Sequence, residues 1–230
     1  MKTNVLFAAL ALSLVFSLAQ GQAQNQECLT NLSIYVESAK VKNYDAAYEP
    51  WKMTYETCPE LNRANYLYGE RILKHKIENS QADERAAFVA LLLKVYDDAI
   101  KYFPSRYTLA SVVVDKVLLQ RSENSISEEE IFSQLDQVFK ADRPNFSNPQ
   151  ALYLYFSSLV DLNTAGKIEL QQVFEVYDEV VAKIEEENKK LTDEIVKLLP
   201  LEEDGTISIK DKDRLKVYST NSTSFGKVAA

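Results

Sequence analysis

Glycine and proline are scarce in this 230-residue chain, which contains five of the first and six of the second. Folds with many tight turns use both residues repeatedly, because glycine adopts positive φ angles and proline fixes φ near the value that turns need. Their scarcity argues against an all-β fold and favours helices. Histidine occurs once and cysteine twice, so a zinc site is not expected.

Basic charge is also in short supply. Lysine and arginine total 26 against 34 aspartates and glutamates, which gives a formal net charge of −8. Nonspecific nucleic-acid binding needs a basic face that displaces counterions from phosphates, and docking on anionic lipid needs a similar face. The composition disfavours both kinds of partner.

No group of residues resembles a catalytic centre. The single histidine, His75, lies between Lys74 and Lys76 and is predicted to be a surface residue. It belongs to no recognisable Ser-His-Asp or Cys-His arrangement. The cysteines do not form a C-x-x-C motif, and no pair of carboxylates stands out. We therefore predict no catalytic, cofactor-binding or metal-binding residues, and no enzymatic activity.

The N-terminus has the pattern of a secretory signal peptide. Lys2 precedes a nearly all-apolar run from Val5 to Leu18, which is too short for a comfortable membrane span. The small residues Gly21 and Ala23 suggest cleavage before Gln24, so residues 1–23 are predicted to be removed; cleavage after Gly21 and a retained anchor are the alternatives. Since no later run is long enough to span a bilayer, the mature protein should be soluble and exported, either periplasmic or secreted.

The rest of the chain has helical periodicity. Apolar residues recur at steps of three and four and predict one helix from Cys28 to Lys42 and a second from Tyr44 to Thr57. Asn43 can cap the second helix and Pro59 ends it. Further helices are predicted over residues 61–77, 81–103, 106–121, 127–141 and 150–162. Residues 167–199 have a long helical pattern that corresponds to one helix or to two.

Two of these helices begin with recognisable capping sequences. Ser127 and Glu130 have the spacing of a capping box, in which the serine oxygen accepts a free backbone amide and the glutamate reaches back. Asn148 followed by Pro149 is typical of an N-cap with proline in the first helical position.

The two cysteines lie at the outer ends of the first two predicted helices. In an antiparallel hairpin the start of one helix lies beside the end of the other, so Cys28 and Cys58 can meet. Export favours their oxidation, and the chain-entropy model credits such a bridge with about 3–4 kcal/mol. We predict a disulfide; the alternative is two separate buried thiols.

Helix pairs that end in proline also show a repeated spacing. The spacing begins with a small residue. An aromatic residue follows four positions later, a second small residue three positions after that, and the proline five positions further on. Small residues let helices approach closely and the aromatic fills the groove to the next pair. The spacing recurs at Ala47, Trp51, Thr54 and Pro59, and again at Leu92, Tyr96, Ala99 and Pro104, although Leu92 is not small.

In these residues the chain resembles the tetratricopeptide repeat (TPR) family, most clearly over residues 28–104 and more loosely to residue 199. With its exported start, it is similar to periplasmic repeat proteins of Gram-negative bacteria. The resemblance implies an all-α array of antiparallel helical hairpins, a TPR-like α-solenoid over residues 24–199, that acts as a non-enzymatic scaffold for a protein partner. The alternative is a carbohydrate- or peptide-binding module of a nutrient-capture system.

The last predicted helix carries a heptad seam with one polar position, Asn188. Such a seam is typical of a coiled coil and predicts pairing with another chain, including a second copy. Packing against helix 150–162 or against the following segment is the alternative. The charged run 185–190 is expected to be a solvated face. The seam consists of Leu170, Phe174, Tyr177, Val181, Ile184, Asn188, Leu191, Ile195 and Leu198.

Residues 200–230 are polar and differ from the preceding helices. Asp204 and Gly205 predict a turn, and a short helix is possible from Lys210 to Tyr218. The remainder is rich in serine, threonine and asparagine. We expect either a flexible tail or part of a longer protein.

Overall fold

A computed structural model describes residues 25–229 and is all-α, with no strand among these residues. This confirms the predicted fold class. The predicted signal peptide lies outside the described residues. The described helices are α1 (residues 25–40), α2 (Tyr44–Thr57), α3 (Ala64–Asn79), α4 (Ala82–Tyr102), α5 (Leu109–Ser122), α6 (Glu128–Ala141), α7 (Pro149–Thr164), α8 (Leu170–Glu203) and α9 (Ile209–Ala229), with a short 3₁₀ turn at Arg143–Asn145.

The chain divides into two compact units at the boundary between Tyr107 and Thr108. Unit 1 contains α1 to α4 and unit 2 contains α5 to α9. In unit 1, α2 contacts α3 and α3 contacts α4; in unit 2, each helix from α5 to α8 contacts the next. Successive helices in each unit therefore pack as neighbours, as a helical array requires.

The second helix shows how local sequence sets the helix limits. The Asn43 side chain accepts a hydrogen bond from the Ala46 amide and caps α2 as predicted. The helix continues through Pro50 and ends at Thr57, with Cys58 as its C-cap residue and Pro59 next. The predicted limits of this helix are therefore correct.

Asn65 connects three parts of unit 1. Its side chain accepts a hydrogen bond from the Tyr35 hydroxyl on α1 at 2.7 Å and donates one to the Cys58 carbonyl at 3.0 Å. Its backbone carbonyl accepts a hydrogen bond from Trp51 Nε1 at 2.7 Å. Because Asn65, Tyr35 and Trp51 are all fully buried, these bonds satisfy polar groups that would otherwise destabilise the core.

Aromatic rings fill much of the core of unit 1. Trp51 and Tyr55 stack with their centroids 5.3 Å apart, and Tyr66 lies edge-on to Tyr55 at 6.0 Å and to Phe103 at 5.5 Å. Burial raises the pKa of both Tyr55 and Tyr66. These rings are packing residues and do not line an open groove.

A glycine on α3 allows the indole of Trp51 to lie against the helix backbone. A Cβ atom at Gly69 would lie 2.6 Å from Trp51 Nε1 and 2.8 Å from two ring carbons. Such contacts are closer than van der Waals packing allows. The close approach of α2 to α3 therefore requires glycine at this position.

Unit 2 is built around a mainly aliphatic core. Its first two α-helices both begin with capping boxes, formed by Thr108 with Ser111 and by Ser127 with Glu130; the second was predicted. The predicted N-cap of α7, Asn148 before Pro149, is also present. The core includes Val114, Val117, Ile131, Leu135, Val138, Phe139, Phe146, Leu152, Tyr155, Leu159, Val176, Val180, Ile184 and Phe225.

The C-terminal segment forms a longer helix than the sequence suggested. Helix α9 covers residues 209–229 and contacts both α8 and α7. Leu215 and Phe225 are buried, and the Ser222 hydroxyl donates to Asn188 Oδ1 at 2.6 Å. Tertiary contacts thus stabilise a segment whose serine- and threonine-rich sequence has low helix propensity.

Candidate functional site

The residues of the TPR-like spacing are mostly buried in unit 1. Ala47, Trp51, Tyr96 and Ala99 are each at most 4% exposed. Pro59 is half-buried and Pro104 is exposed, and each follows the end of a helix. The four buried residues pack helices together and are not accessible to a partner.

The predicted disulfide between Cys28 and Cys58 is confirmed, with the two Cα atoms 6.4 Å apart. It connects α1 to the residue that ends α2. Cys28 is buried at 3% exposure. The bridge is a structural crosslink of unit 1, since both thiols of the chain are used.

The heptad seam of α8 divides into two parts. Ile184 and Leu198 are buried, and Val181, Asn188, Leu191 and Ile195 are intermediate. Asn188, the polar position, bonds within the chain to Ser222 of α9. The first part of the seam is open to solvent: Leu170 is 55% exposed, Phe174 58% and Tyr177 48%.

Helix α7 continues this exposed apolar surface. Tyr153 is 58% exposed and Val160 37%, and the half-buried Phe156 lies between them at helical spacing. The ring of Phe156 contacts that of Tyr177 on α8, with centroids 5.5 Å apart. We call the six residues the α7–α8 ridge: Tyr153, Phe156, Val160, Leu170, Phe174 and Tyr177.

The ridge forms because α7 is apolar around most of its circumference. Its buried residues, among them Ala151, Leu152, Tyr155 and Leu159, face the core of unit 2. Tyr155 also donates to Asp136 Oδ1 at 2.8 Å, and burial raises its pKa. Three neighbouring helices, α6, α8 and α9, leave part of the circumference uncovered.

The heptad pattern predicted the α8 part of the ridge, whereas the α7 part was not predicted. The available signal was the strongly apolar segment 151–160, in which eight of ten residues are apolar, more than a helix with one buried face needs. The exposed atoms of the ridge are aromatic and aliphatic carbons together with two phenol hydroxyls. This composition suits the burial of apolar area against another macromolecule.

Three acidic residues are next to ridge residues in the sequence. Asp161 follows Val160, Glu169 precedes Leu170, and Asp178 follows Tyr177; all three acidic residues are exposed.

The turn between the two helices contains Lys167, which forms an ion pair with Glu129. The exposed Asp161, Glu169 and Asp178 therefore give the sequence neighbours of the ridge a negative charge.

Further along α8, part of the charged run 185–190 is buried, contrary to the prediction of a solvated face. Lys183 is fully buried and donates to Glu187 Oε1 at 2.6 Å and to Glu186 Oε1 at 3.2 Å. Glu187 is only 8% exposed and also accepts from Lys190 at 2.7 Å. Pairing of this kind is required for charges held in a core.

Glu186 is the most strongly perturbed carboxylate of this network. Hydrogen bonds from Lys190 and then from Arg143 and Lys183 lower its pKa to about 2, although partial burial opposes the shift. The Arg143 bond is 2.8 Å long and connects the segment between α6 and α7 to α8. The network therefore supports the packing of the part of α8 that follows the ridge residues in the sequence.

The clefts of the two units differ in lining from the ridge. One of about 560 Å³ lies beside the disulfide in unit 1, where Pro59, Leu61 and Tyr102 are among its lining residues. In unit 2, one of about 360 Å³ is lined by Lys140 of α6, by Glu169, and by glutamate, glutamine and valine side chains of α8. Neither contains a pair of stacked rings with carboxylates, the arrangement expected of a sugar site.

Within residues 25–229, no cluster of three histidine, cysteine, aspartate or glutamate side chains is arranged to hold a metal ion. No helix in the same range has the length and apolar content needed to cross a membrane.

The chain was compared with known proteins at three levels. No protein-family model, no curated protein and no solved structure matches it.

Proposed function

We propose that this protein is an exported, non-enzymatic scaffold that binds a protein partner through the α7–α8 ridge. The observation that carries the proposal is the exposure of five large apolar side chains on two neighbouring helices, next to the half-buried Phe156. Contiguous apolar surface of this kind marks interaction sites in soluble proteins. An array of packed helix pairs is a suitable frame for such a surface.

Export and membership of a TPR-like family belong to the same proposal. The disulfide supports an oxidising compartment, because bridges persist there and are reduced in the cytosol. The helical packing of α2 to α4 and the burial of Trp51 and Tyr96 support a repeat of the TPR type. On this proposal residues 1–23 act as a signal peptide and the mature protein works in the periplasm or outside the cell.

Site-specific photocrosslinking in the exported protein tests this function. A photoreactive phenylalanine replaces Phe174, and in a matched control it replaces Val41, which is 75% exposed in unit 1. We expect a discrete adduct with one identifiable protein from position 174 and not from position 41. That protein, once purified, should bind the full mature chain, and Phe174→Glu should weaken binding at least about tenfold.

Two results would refute the proposal. One is the same set of adducts from both positions, or none from either. The other is undiminished binding of the purified partner to Phe174→Glu, with Val41→Glu as the matched surface change. Unchanged helix content and melting temperature confirm that the variants fold.

A further inference from the structure

Resting on the proposed function, we infer that the α7–α8 ridge receives an amphipathic α-helix whose apolar stripe is flanked by lysine or arginine. Three observations carry this inference: the geometry of the helix pair, the lack of free backbone groups on it, and the charge around it.

The length and width of the ridge match those of one packed α-helix. Tyr153 and Val160 are seven residues apart on α7, as are Leu170 and Tyr177 on α8, so each helix offers about 10 Å of apolar length. The contact of Phe156 with Tyr177 places the two rows side by side. A third helix that packs along two antiparallel neighbours completes a standard helical layer. About three turns of partner helix would cover the ridge.

Backbone chemistry favours a helix over an extended segment. A strand gains affinity by adding its main-chain hydrogen bonds to an exposed sheet edge. The ridge is formed by two helices, α7 and α8, whose backbone groups form hydrogen bonds within each helix. An extended peptide on the ridge would leave its own amides and carbonyls without protein partners. A helical partner brings its backbone bonds already formed.

The negative charge of the acidic residues next to the ridge in the sequence favours a partner with basic residues beside its apolar stripe. It disfavours a second copy of this chain. Asp161, Glu169 and Asp178 are exposed and each is next to a ridge residue in the sequence. The two nearby lysines are already paired: Lys167 with Glu129, and Lys140, which lines a cleft with Glu169, with Asp136. A second copy would bring the same carboxylates, on a chain with a net charge of −8. Like charges that face each other oppose association, whereas lysine or arginine at the edges of the apolar stripe would complement them.

Two synthetic peptides test the inference on the full mature protein. Both have about 14 residues and the same leucine stripe at i, i+3, i+4 and i+7; one has lysine beside the stripe and the other has glutamate. We expect the lysine peptide to bind at least about tenfold more tightly by fluorescence anisotropy. This preference should shrink when salt rises from about 0.02 M to about 0.3 M, because the Debye length shortens.

Variants separate the apolar contribution from the charged one. Phe174→Glu should abolish binding of the lysine peptide, whereas Val41→Glu in unit 1 should not affect it. The combined change Asp161→Asn, Glu169→Gln and Asp178→Asn should remove the preference for lysine over glutamate. In this combined variant the preference should fall to about twofold or less.

The inference is overturned by equal affinity for the two peptides, or by a preference for lysine that persists in the combined variant. It is also overturned if sedimentation shows a dimer of the chain that Phe174→Glu dissociates, since the occupant would then be a second copy. If position 174 crosslinks to a protein but the peptides are not distinguished, the scaffold function stands and this inference fails. Peptide discrimination without any crosslinked partner would instead refute the scaffold function.

Discussion

The helices of unit 1 and of unit 2 are held together by different kinds of interaction. Unit 1 combines a disulfide with an aromatic core in which Trp51 and Tyr35 donate hydrogen bonds to Asn65. Unit 2 lacks cysteine and uses a mainly aliphatic core, with one aromatic cluster around Tyr155 and a buried ion pair between Lys183 and Glu187. The comparison shows that the two units are stabilised by different interactions, and that the exposed α7–α8 ridge belongs to the unit without a crosslink.

The largest expected effect is loss of the disulfide. Replacing both Cys28 and Cys58 by serine should lower the free energy of unfolding of unit 1 by about 3–4 kcal/mol, because the unfolded chain regains the freedom of the closed loop. Hydrogen exchange measured peptide by peptide should show faster exchange in α1 to α3. Unit 2 provides the internal control, and equal loss of protection in α5 to α9 would contradict the comparison.

The next effect concerns the buried ion pair of unit 2. Glu187→Leu should destabilise unit 2 by about 3 kcal/mol, since it leaves the fully buried Lys183 without its nearest partner. Lys183→Met is the matched variant and should cost less, because Glu187 keeps Lys190 at 2.7 Å, whereas in Glu187→Leu the fully buried Lys183 keeps only the longer 3.2 Å contact with Glu186. Urea unfolding followed by far-UV circular dichroism measures both losses. A larger loss for Lys183→Met than for Glu187→Leu would contradict this account.

A smaller effect is expected at the glycines of the two units. Gly69→Ala should destabilise unit 1 by about 1–3 kcal/mol, because the new methyl group overlaps the indole of Trp51. Gly226→Ala in α9 meets no atom within 4 Å and should stabilise its helix by about 0.5–1 kcal/mol. Since Trp51 is the single tryptophan, its fluorescence reports unfolding of unit 1. If Gly69→Ala and Gly226→Ala changed the free energy of unfolding by equal amounts in the same direction, the steric explanation would be contradicted.

The smallest effect is a pH dependence in unit 2. The pKa of Glu186 falls from 4.5 to about 2 on folding, so its contribution to stability is complete above about pH 4.5. The contribution is lost as the pH falls from about 4.5 towards 2, and it is modest because the side chain is 36% exposed. Melting temperatures of the protein and of Glu186→Gln should converge over this pH range. A constant difference would show that Glu186 does not titrate there.

Local sequence was sufficient to predict most helices. Where a cap and a proline enclose a periodic segment, as Asn43 and Pro59 do for α2, the limits follow from backbone chemistry alone. The meeting of Cys28 and Cys58 followed from antiparallel pairing. Helix α9 did not follow in full, because its stability depends on contacts of Leu215, Ser222 and Phe225 with other helices.

The candidate site was only partly predictable for a similar reason. A heptad pattern identifies the apolar positions of α8, but α7 and α9 determine which of them are covered. The buried face includes Val176, Val180 and Lys183, beside the predicted seam. A buried lysine cannot be recognised from sequence, because its stability there depends on partners such as Glu187 and Glu186.

The contact of Gly69 with Trp51 also limits how the sequence can evolve. While an indole occupies position 51, a side chain at position 69 overlaps it. A substitution at 69 is costly while tryptophan occupies 51, and the cost falls once a smaller residue is present there. The effects of substitutions at the two positions should therefore not be additive.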